Sequence, residues 1–357
     1  MRHAWATSSI DDEVLRTSAQ YGVKDIIMYT GPGTKTIPGT TQPLERKRYP
    51  DYEDYLHMVK SVESYGLNVE AVEGGFSLFP EYSDIIFGGP RRDELIEEVL
   101  EHVKVMARAG IRIWGYQWMP VSVWSTQPKR LRGGAYGRAY DHSVREDEEH
   151  WYPGTIDSHN EEAMWGHLEY WIKALTPVAE EEGIKCGIHP DDPPMPTRGG
   201  IPGLLRSFDA YKRLMALYPS DYNAIEFCQG TFSEMPGENI YEMVDYFARR
   251  NKILFVHFRN VDSQVPKFNE EFINTGYVDM KRIARVYRDA GYQGTFMDDH
   301  CPWLTDDLDF PGNVGGYRSR LFAQGYIQGV IESVMKEVSY GGPVKRTDSL
   351  NSQRGAK

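Results

Sequence analysis

The sequence predicts an α/β protein of the (β/α)8 TIM-barrel class, a single domain with an insertion after strand 4. Three observations carry this expectation. Seven short β-branched or aromatic runs recur along the chain, most of them followed by an amphipathic stretch, and the residues before Ala6 supply an eighth. Repeated β-α units make a parallel sheet, and eight of them close it into a barrel. No Gly-rich dinucleotide fingerprint or phosphate loop sits at a strand-to-helix turn, which weakens an open doubly wound sheet as the alternative.

The elements follow in order. Residues 23–29 (VKDIIMY) and 67–72 (LNVEAV) read as strands, the second after a helix that ends over 61–66. Residues 93–109 have the 3.6-residue apolar period of a helix and are closed by Gly110, before the strand at 111–118 (IRIWGYQW). Residues 161–182 form the clearest helix, with Trp165, Leu168, Trp171, Leu175 and Val178 on one side, Pro177 as a kink and Gly183 as its stop. Strands then read at 184–188, 224–227, 253–258 and 294–297, alternating with helices at 208–217, 241–249, 280–290 and 321–338. Residues 1–340 make up the catalytic barrel and 341–357 a polar, loose tail. The long segment 125–160 follows strand 4. Loops after strands lie on the catalytic face of a barrel, so it reads as a lid or as an arm between subunits of a homo-oligomer.

A chain of 357 residues with 40% hydrophobic and 26% charged residues can bury a large core without a disulfide or metal staple. Its net charge of −12 disfavours nucleic acid as a partner, because phosphate binding needs a basic face. The negative charge leaves room for an anionic small molecule, which a local arginine or a divalent cation can capture. The three cysteines form no disulfide framework, no apolar run approaches a membrane span, and the first residues lack a signal peptide's apolar stretch. A cytoplasmic location, away from membranes, is the expectation.

Chemistry-bearing residues gather at strand ends. His189 ends IKCGIHP, Cys228 ends AIEFCQG, His257 lies in ILFVHFRN, and Asp299 with His300 follows GTFM. Each would be unremarkable alone: a histidine in a strand is usually structural, and a cysteine such as Cys186 a small core hydrophobe. Four at the carboxyl ends of four strands converge on one barrel mouth, where imidazole, thiolate and carboxylate make a site for a divalent transition metal. His300, beside a ligand, is the acid/base candidate. Arg259 alternates onto the face of His257, so it can pair with a substrate carboxylate, or else form a surface salt bridge. Asn260 beside it is the second substrate-binding candidate. Asp191 and Asp192 in HPDDPP either orient ligands or cap a turn, and Asp191 is taken as a third substrate-binding residue. Trp114, Trp118 and Trp124 read as core, and the acidic run 146–149 as a solvated face.

At these residues the chain resembles the mannonate dehydratase family, a barrel group related to xylose-isomerase-like enzymes. The match runs through residues 177–181 to Ile188-His189-Pro190-Asp191-Asp192-Pro193-Pro194, then Cys228-Gln229-Gly230, His257-Phe258-Arg259-Asn260 and Asp299-His300. The resemblance implies a lyase that dehydrates a sugar acid such as D-mannonate to a 2-keto-3-deoxy acid, in carbohydrate metabolism, with Mn2+ or a similar ion (Fe2+, Co2+ or Zn2+). It implies His189, Cys228, His257 and Asp299 as ligands, His300 as acid/base, and Tyr317 as the nearest match to a tyrosine near the last helix. The chain departs from the family at 268–279, where two loop histidines are missing, and after His300, where Cys301-Pro302 stand in place of Gly-Arg. The departures imply a preserved metal cage with an altered substrate shell. The alternatives are a metal-dependent sugar or sugar-acid isomerase or epimerase on the same barrel, and a non-catalytic sugar-binding barrel.

Overall fold

The computed structural model describes residues 1–29, 50–74, 82–120, 123–144, 159–305, 307 and 317–340. Eight parallel strands close into a barrel in chain order: β1 (Arg2–Thr7), β2 (Asp25–Tyr29), β3 (Asn68–Glu73), β4 (Ile113–Gln117), β5 (Lys185–His189), β6 (Asn223–Cys228), β7 (Ile253–His257) and β8 (Thr295–Met297). The first strand pairs with both its successor and the last, which removes any open edge. Every expected strand is present. The eighth lies where the N-terminal residues placed it, and the open-sheet alternative is excluded.

The main helices are α1 (Asp12–Gln20), α2 (Tyr52–Glu63), α3 (Arg92–Arg108), α4 (Glu161–Glu182), α5 (Phe208–Leu217), α6 (Ile240–Ala248), α7 (Met280–Asp289) and α8 (Tyr317–Tyr340). Their ends follow local chemistry. Asp51 and Asp54 form a reciprocal capping box at the start of α2. The side chains of Asn160, Ser207 and Asp279 cap α4, α5 and α7. Gly183 ends α4 in the left-handed region, as its position in the sequence predicts. The short helix α1 has few apolar positions to announce it, with only Leu15 and Ser18 buried, and pattern reading passes over it. No described helix is long and apolar enough to cross a membrane.

The large core lies between strands and helices, where Trp165, Leu168, Trp171 and Leu175 of α4 meet Trp118 and Ile188. Cys186 belongs to this layer. Trp114, Trp118 and Trp124 are buried as expected, each at 4% exposure or less. A smaller cluster fills the barrel itself: Ala4, Ala6, Ile27, Ala71, Ala224, Leu254, Phe255 and Met297. Register sets the height of the residues above it. Cys228 pairs with His257, His257 with Met297, and Gln117 with His189, all at strand ends.

The described part of the insertion pairs with itself and with the loop after β7. Lys129–Arg130 pairs with Tyr136–Gly137, and Ala139–Asp141 pairs antiparallel with Lys267–Asn269 in the loop after β7. That pairing braces this loop against the chain's own insertion. Residues 145–158, with the acidic run 146–149, and the tail 341–357 lie outside the described residues.

His102 on α3 gives a handle on stability. Its ring is buried and its Nε2 lies 3.0 Å from the Tyr55 hydroxyl of α2. Burial pushes its pKa down to about 3. The unfolded chain therefore binds a proton that the folded state refuses, and stability falls as pH drops below the ordinary histidine value near 6.5. Between pH 7 and 5 this component amounts to about 2 kcal/mol. His102→Gln removes it. Urea midpoints at the two pH values are expected to show a smaller acid loss in the variant by about that amount, and equal losses would refute the assignment.

Candidate metal centre and active site

Alternation along the strands aims His189, Cys228 and His257 into the barrel mouth. One ligand atom from each lies within 4.8 Å of the others, and all three residues are buried. Their hydrogen bonds select the ring nitrogens that face the cluster. His189 Nδ1 lies 2.7 Å from the Pro190 carbonyl, so it carries the proton and leaves the Nε2 lone pair free. His257 Nε2 lies 3.2 Å from Glu73 Oε2 and 3.3 Å from Glu226 Oε1, while its Nδ1 is 3.3 Å from Asp299 Oδ2. Nδ1 has no hydrogen-bond partner among the described residues.

Asp299 joins from the end of β8. Its backbone sits at φ 50°, a left-handed conformation uncommon outside glycine, which aspartate adopts more readily than most residues. Arg320 of α8 holds it, donating 3.0 Å to the Asp299 carbonyl and 2.7 Å to the Asp298 carboxylate. The Asp299 carboxylate then lies 3.9 Å from the Cys228 sulfur. Two nitrogens, a sulfur and a carboxylate, all buried, are a donor set suited to Zn, Fe, Co or Mn, so the residues fit a divalent transition metal.

The electrostatics agree. Burial would raise the Cys228 thiol, but Arg259 and His189 outweigh it and bring the pKa down to about 5. Cys186, buried in apolar surroundings without such partners, is pushed up instead. Burial would lower His189, yet the Cys228 thiolate raises it to about 9. His257 is raised well above the usual histidine range against the pull of burial, by Asp299 and Glu73. Asp299 is held well below the usual carboxylate range despite its burial, by His300 and His257.

Arg259 is 2% exposed, which excludes a surface salt bridge. The guanidinium is taken up by the protein's own groups: Nε lies 3.0 Å from Asp299, Nη1 3.0 Å from Glu234, and Nη2 2.9 Å from Asp192 and 3.0 Å from Thr231. Thr231 Oγ1 in turn lies 3.1 Å from the Cys228 sulfur. Arg259 thus fixes the Asp299 carboxylate and the surroundings of Cys228, a different task from the substrate pairing its position suggested.

Two further expectations need correction. Asn260 staples the loop after β7: its amide donates to the carbonyls of Ile273 and Val278, and its oxygen accepts from the amides of Val261 and Val278. All its hydrogen-bonding capacity is spent there, which leaves none for a substrate. Asp191 pairs with buried Arg198 and accepts from the Leu205 amide at 2.8 Å. That work is structural too, and it is Asp192 that reaches the site. Tyr317 is the first residue of α8, and its side chain lies outside the described residues.

His300 stands beside the ligand cluster, with Nε2 3.6 Å from Asp299 and Nδ1 3.1 Å from both oxygens of Glu270. Glu270 directly follows the strand Lys267–Asn269 that the insertion braces. Burial would raise its carboxyl, but His300 and Arg259 bring it down to about 2, so it stays ionised. The result is a histidine–carboxylate dyad. A small cleft lined by Arg259, Phe272, His300, Ser319 and Phe322 adjoins a cavity of about 510 Å³ that shares Phe272, Ser319 and Phe322 with it.

Sequence reading missed Glu73, Glu226, Glu234, Glu270 and Arg320. A signal existed for one: Glu226 precedes Cys228 by two residues in a strand, so it had to share its inward face. The others reach the site through loops or from other elements.

Fold and site together define a barrel enzyme with a buried His-Cys-His cluster able to hold a metal ion and a histidine–carboxylate pair at the carboxyl ends of its strands. The model of the D-mannonate dehydratase (UxuA) family matches residues 2–340, and the chain belongs to that family. It is a carbon–oxygen lyase of the dehydratase kind. The mannonate dehydratase of Streptococcus pneumoniae (strain 70585) is 31% identical over 312 residues, covering 80% of this chain and 83% of that one. The crystal structure of mannonate dehydratase from Streptococcus suis serotype 2 superposes with a TM-score of 0.81 at 28% identity, over 98% of this chain and 99% of that one. L-ribulose 3-epimerase, at 12% identity and a TM-score of 0.58, shares the fold.

A cation entering the ligand cluster must displace protons from the two histidines, so its affinity is expected to climb with pH. With His189 held protonated up to about 9 and the Cys228 thiolate formed from about 5, the rise falls between those values. It should approach about tenfold per pH unit for each proton displaced. Mn(II) titrations of chelated protein at pH 6, 7 and 8 check this, and a flat profile would contradict it.

Proposed function

We propose that this chain dehydrates a sugar acid such as D-mannonate to its 2-keto-3-deoxy product, with a divalent cation, Mn2+ first among candidates, held by His189, Cys228, His257 and Asp299. The observation that carries the reading is the His300–Glu270 dyad set against Asp299 and the cluster of His189, Cys228 and His257. Membership in the family supplies the reaction class.

Elimination needs a proton removed next to a carboxylate and a hydroxyl protonated as it leaves. Resonance in the carboxylate already opposes further negative charge on that fragment. When bound, the cation supplies Lewis-acid stabilisation of that charge. The rest is work for the protein's side chains. Glu270 takes the Nδ1 proton of His300 as a hydrogen bond, which fixes the ring and leaves Nε2 to move a proton at the substrate. Positively charged Arg259 holds Asp299 and Asp192 in place behind the site. Tyr317 opens α8 and is the candidate for the second proton-transfer group. The 510 Å³ cavity lined by Arg132, Phe272 and Phe322, which shares residues with the cleft at His300, offers room for an acyclic six-carbon acid. The missing loop histidines at 268–279 fit a substrate shell altered around a retained centre.

A screen of aldonic acids for 2-keto-3-deoxy products, run before and after chelation and again after Mn(II) is restored, tests the reading. Product is expected from at least one acid, lost on chelation and recovered with the ion. Full activity after exhaustive chelation would refute the metal assignment. His300→Asn should bind Mn(II) like the wild type and lose turnover by ~10²–10⁴-fold. Near-normal turnover would remove His300 from the mechanism. Glu270→Gln should lower kcat with little change in Mn(II) affinity.

A further inference from the structure

The barrel interior holds two carboxyl groups that packing does not require. Glu226 on β6 is wholly buried, and Glu73 at the end of β3 is 7% exposed. Around them the barrel is filled by alanines and apolar side chains. Room for Glu226 is made by missing side chains: a Cβ at Gly115 would overlap its carboxyl group and the Phe255 ring, and one at Gly187 would press on its backbone. Burying a carboxyl group in such surroundings is costly unless it serves an interaction.

That interaction is with His257. Glu73 Oε2 is a hydrogen-bond partner of its Nε2 at 3.2 Å, and Glu226 Oε1 stands 3.3 Å from the same nitrogen at ion-pair distance, with neither Glu226 oxygen hydrogen-bonded elsewhere among the described residues. A neutral imidazole carries one N–H, and a nitrogen between two carboxyl groups is the one that keeps it. The Nδ1 lone pair is then left facing Asp299 and Cys228. We infer that Glu73 and Glu226 are positioning residues that hold the His257 ring in its Nε2–H tautomer and so present Nδ1 to the cation.

The inference rests on the proposed cation at His189, Cys228, His257 and Asp299, and it adds residues from the layer beneath. His189 is fixed by one backbone carbonyl, whereas His257 is fixed by side chains from two other strands. The β3 and β6 strands therefore set the geometry of a ligand on β7. Partners of this kind typically change metal affinity by ~10–100-fold when removed.

The test compares wild type with Glu73→Ala, Glu226→Ala, Glu73→Gln and Glu226→Gln, each stripped by chelation and titrated with Mn(II), with free ion counted by electron paramagnetic resonance. Wild type should take up one equivalent, and the alanine variants should bind ~10–100-fold more weakly. The glutamine variants keep an acceptor oxygen, so they should recover most of that loss. A purely space-filling role would predict no difference in affinity between the glutamine and alanine variants once both are folded.

The ¹⁵N spectrum of histidine-labelled, Zn(II)-loaded wild type reads the tautomer without any variant. The His257 proton is expected on Nε2, and a proton on Nδ1 overturns the inference. So do alanine variants that bind as tightly as wild type, or a second Mn(II) equivalent that vanishes with either glutamate. A wild type that takes up no cation overturns the metal centre and this inference together. Binding by wild type and alanine variants alike overturns the inference alone.

Discussion

Negative charge packed into a space closed to water is the constraint on which this structure turns. A thiolate and the carboxylates of Asp299 and Glu270 gather within a few side chains of the carboxyl groups of Asp192, Glu73, Glu226 and Glu234, all nearly or wholly buried, and burial raises Glu226 and Glu234 well above the ordinary carboxylate value. Charges buried in this way must be paired. Arg259 meets part of the need, reaching Asp192, Glu234 and Asp299 with separate nitrogens. Without a cation, protons on His189 and His257 meet the rest, which is why both rings are raised above the ordinary histidine range. A divalent ion can take over the balancing role of those protons, and the imidazoles then become ligands.

The closed barrel makes this concentration possible. Parallel strands with matched registers put Cys228 beside His257, and alternation turns both inward. The layer below mixes Ile27, Leu254, Phe255 and Met297 with alanines and with Gly115 and Gly187, and these small residues leave room for two glutamates. Elements outside the barrel then lock the rim. Arg320 of α8 holds Asp299 in its left-handed conformation, and the insertion after β4 braces the strand that leads into Glu270.

Much of this was legible in the sequence, and for physical reasons. The convergence of His189, Cys228 and His257 showed itself because polar residues at the ends of apolar strands stand out, and because the barrel rule turns distance along the chain into proximity. Arg259 was placed on the correct face by alternation, but its partners lie on other strands and loops, so its task was misread. Asn260 and Asp191 look available in the sequence because hydrogen bonds to distant backbone leave no local pattern. Glu270 was missed for a related reason. It meets His300, thirty residues on, only because the loop after β7 pairs with the insertion. Glu226 was the avoidable omission, since a glutamate two residues before a buried ligand in a strand must share its face.

One measurement bears on all of this at once. Crystals soaked in Mn(II) and measured for anomalous scattering should show a single strong peak contacted by His189 Nε2, Cys228 Sγ, His257 Nδ1 and an Asp299 oxygen, at distances of roughly 2.0–2.4 Å. A peak elsewhere, or none at the barrel mouth with the ion in excess, would contradict the account.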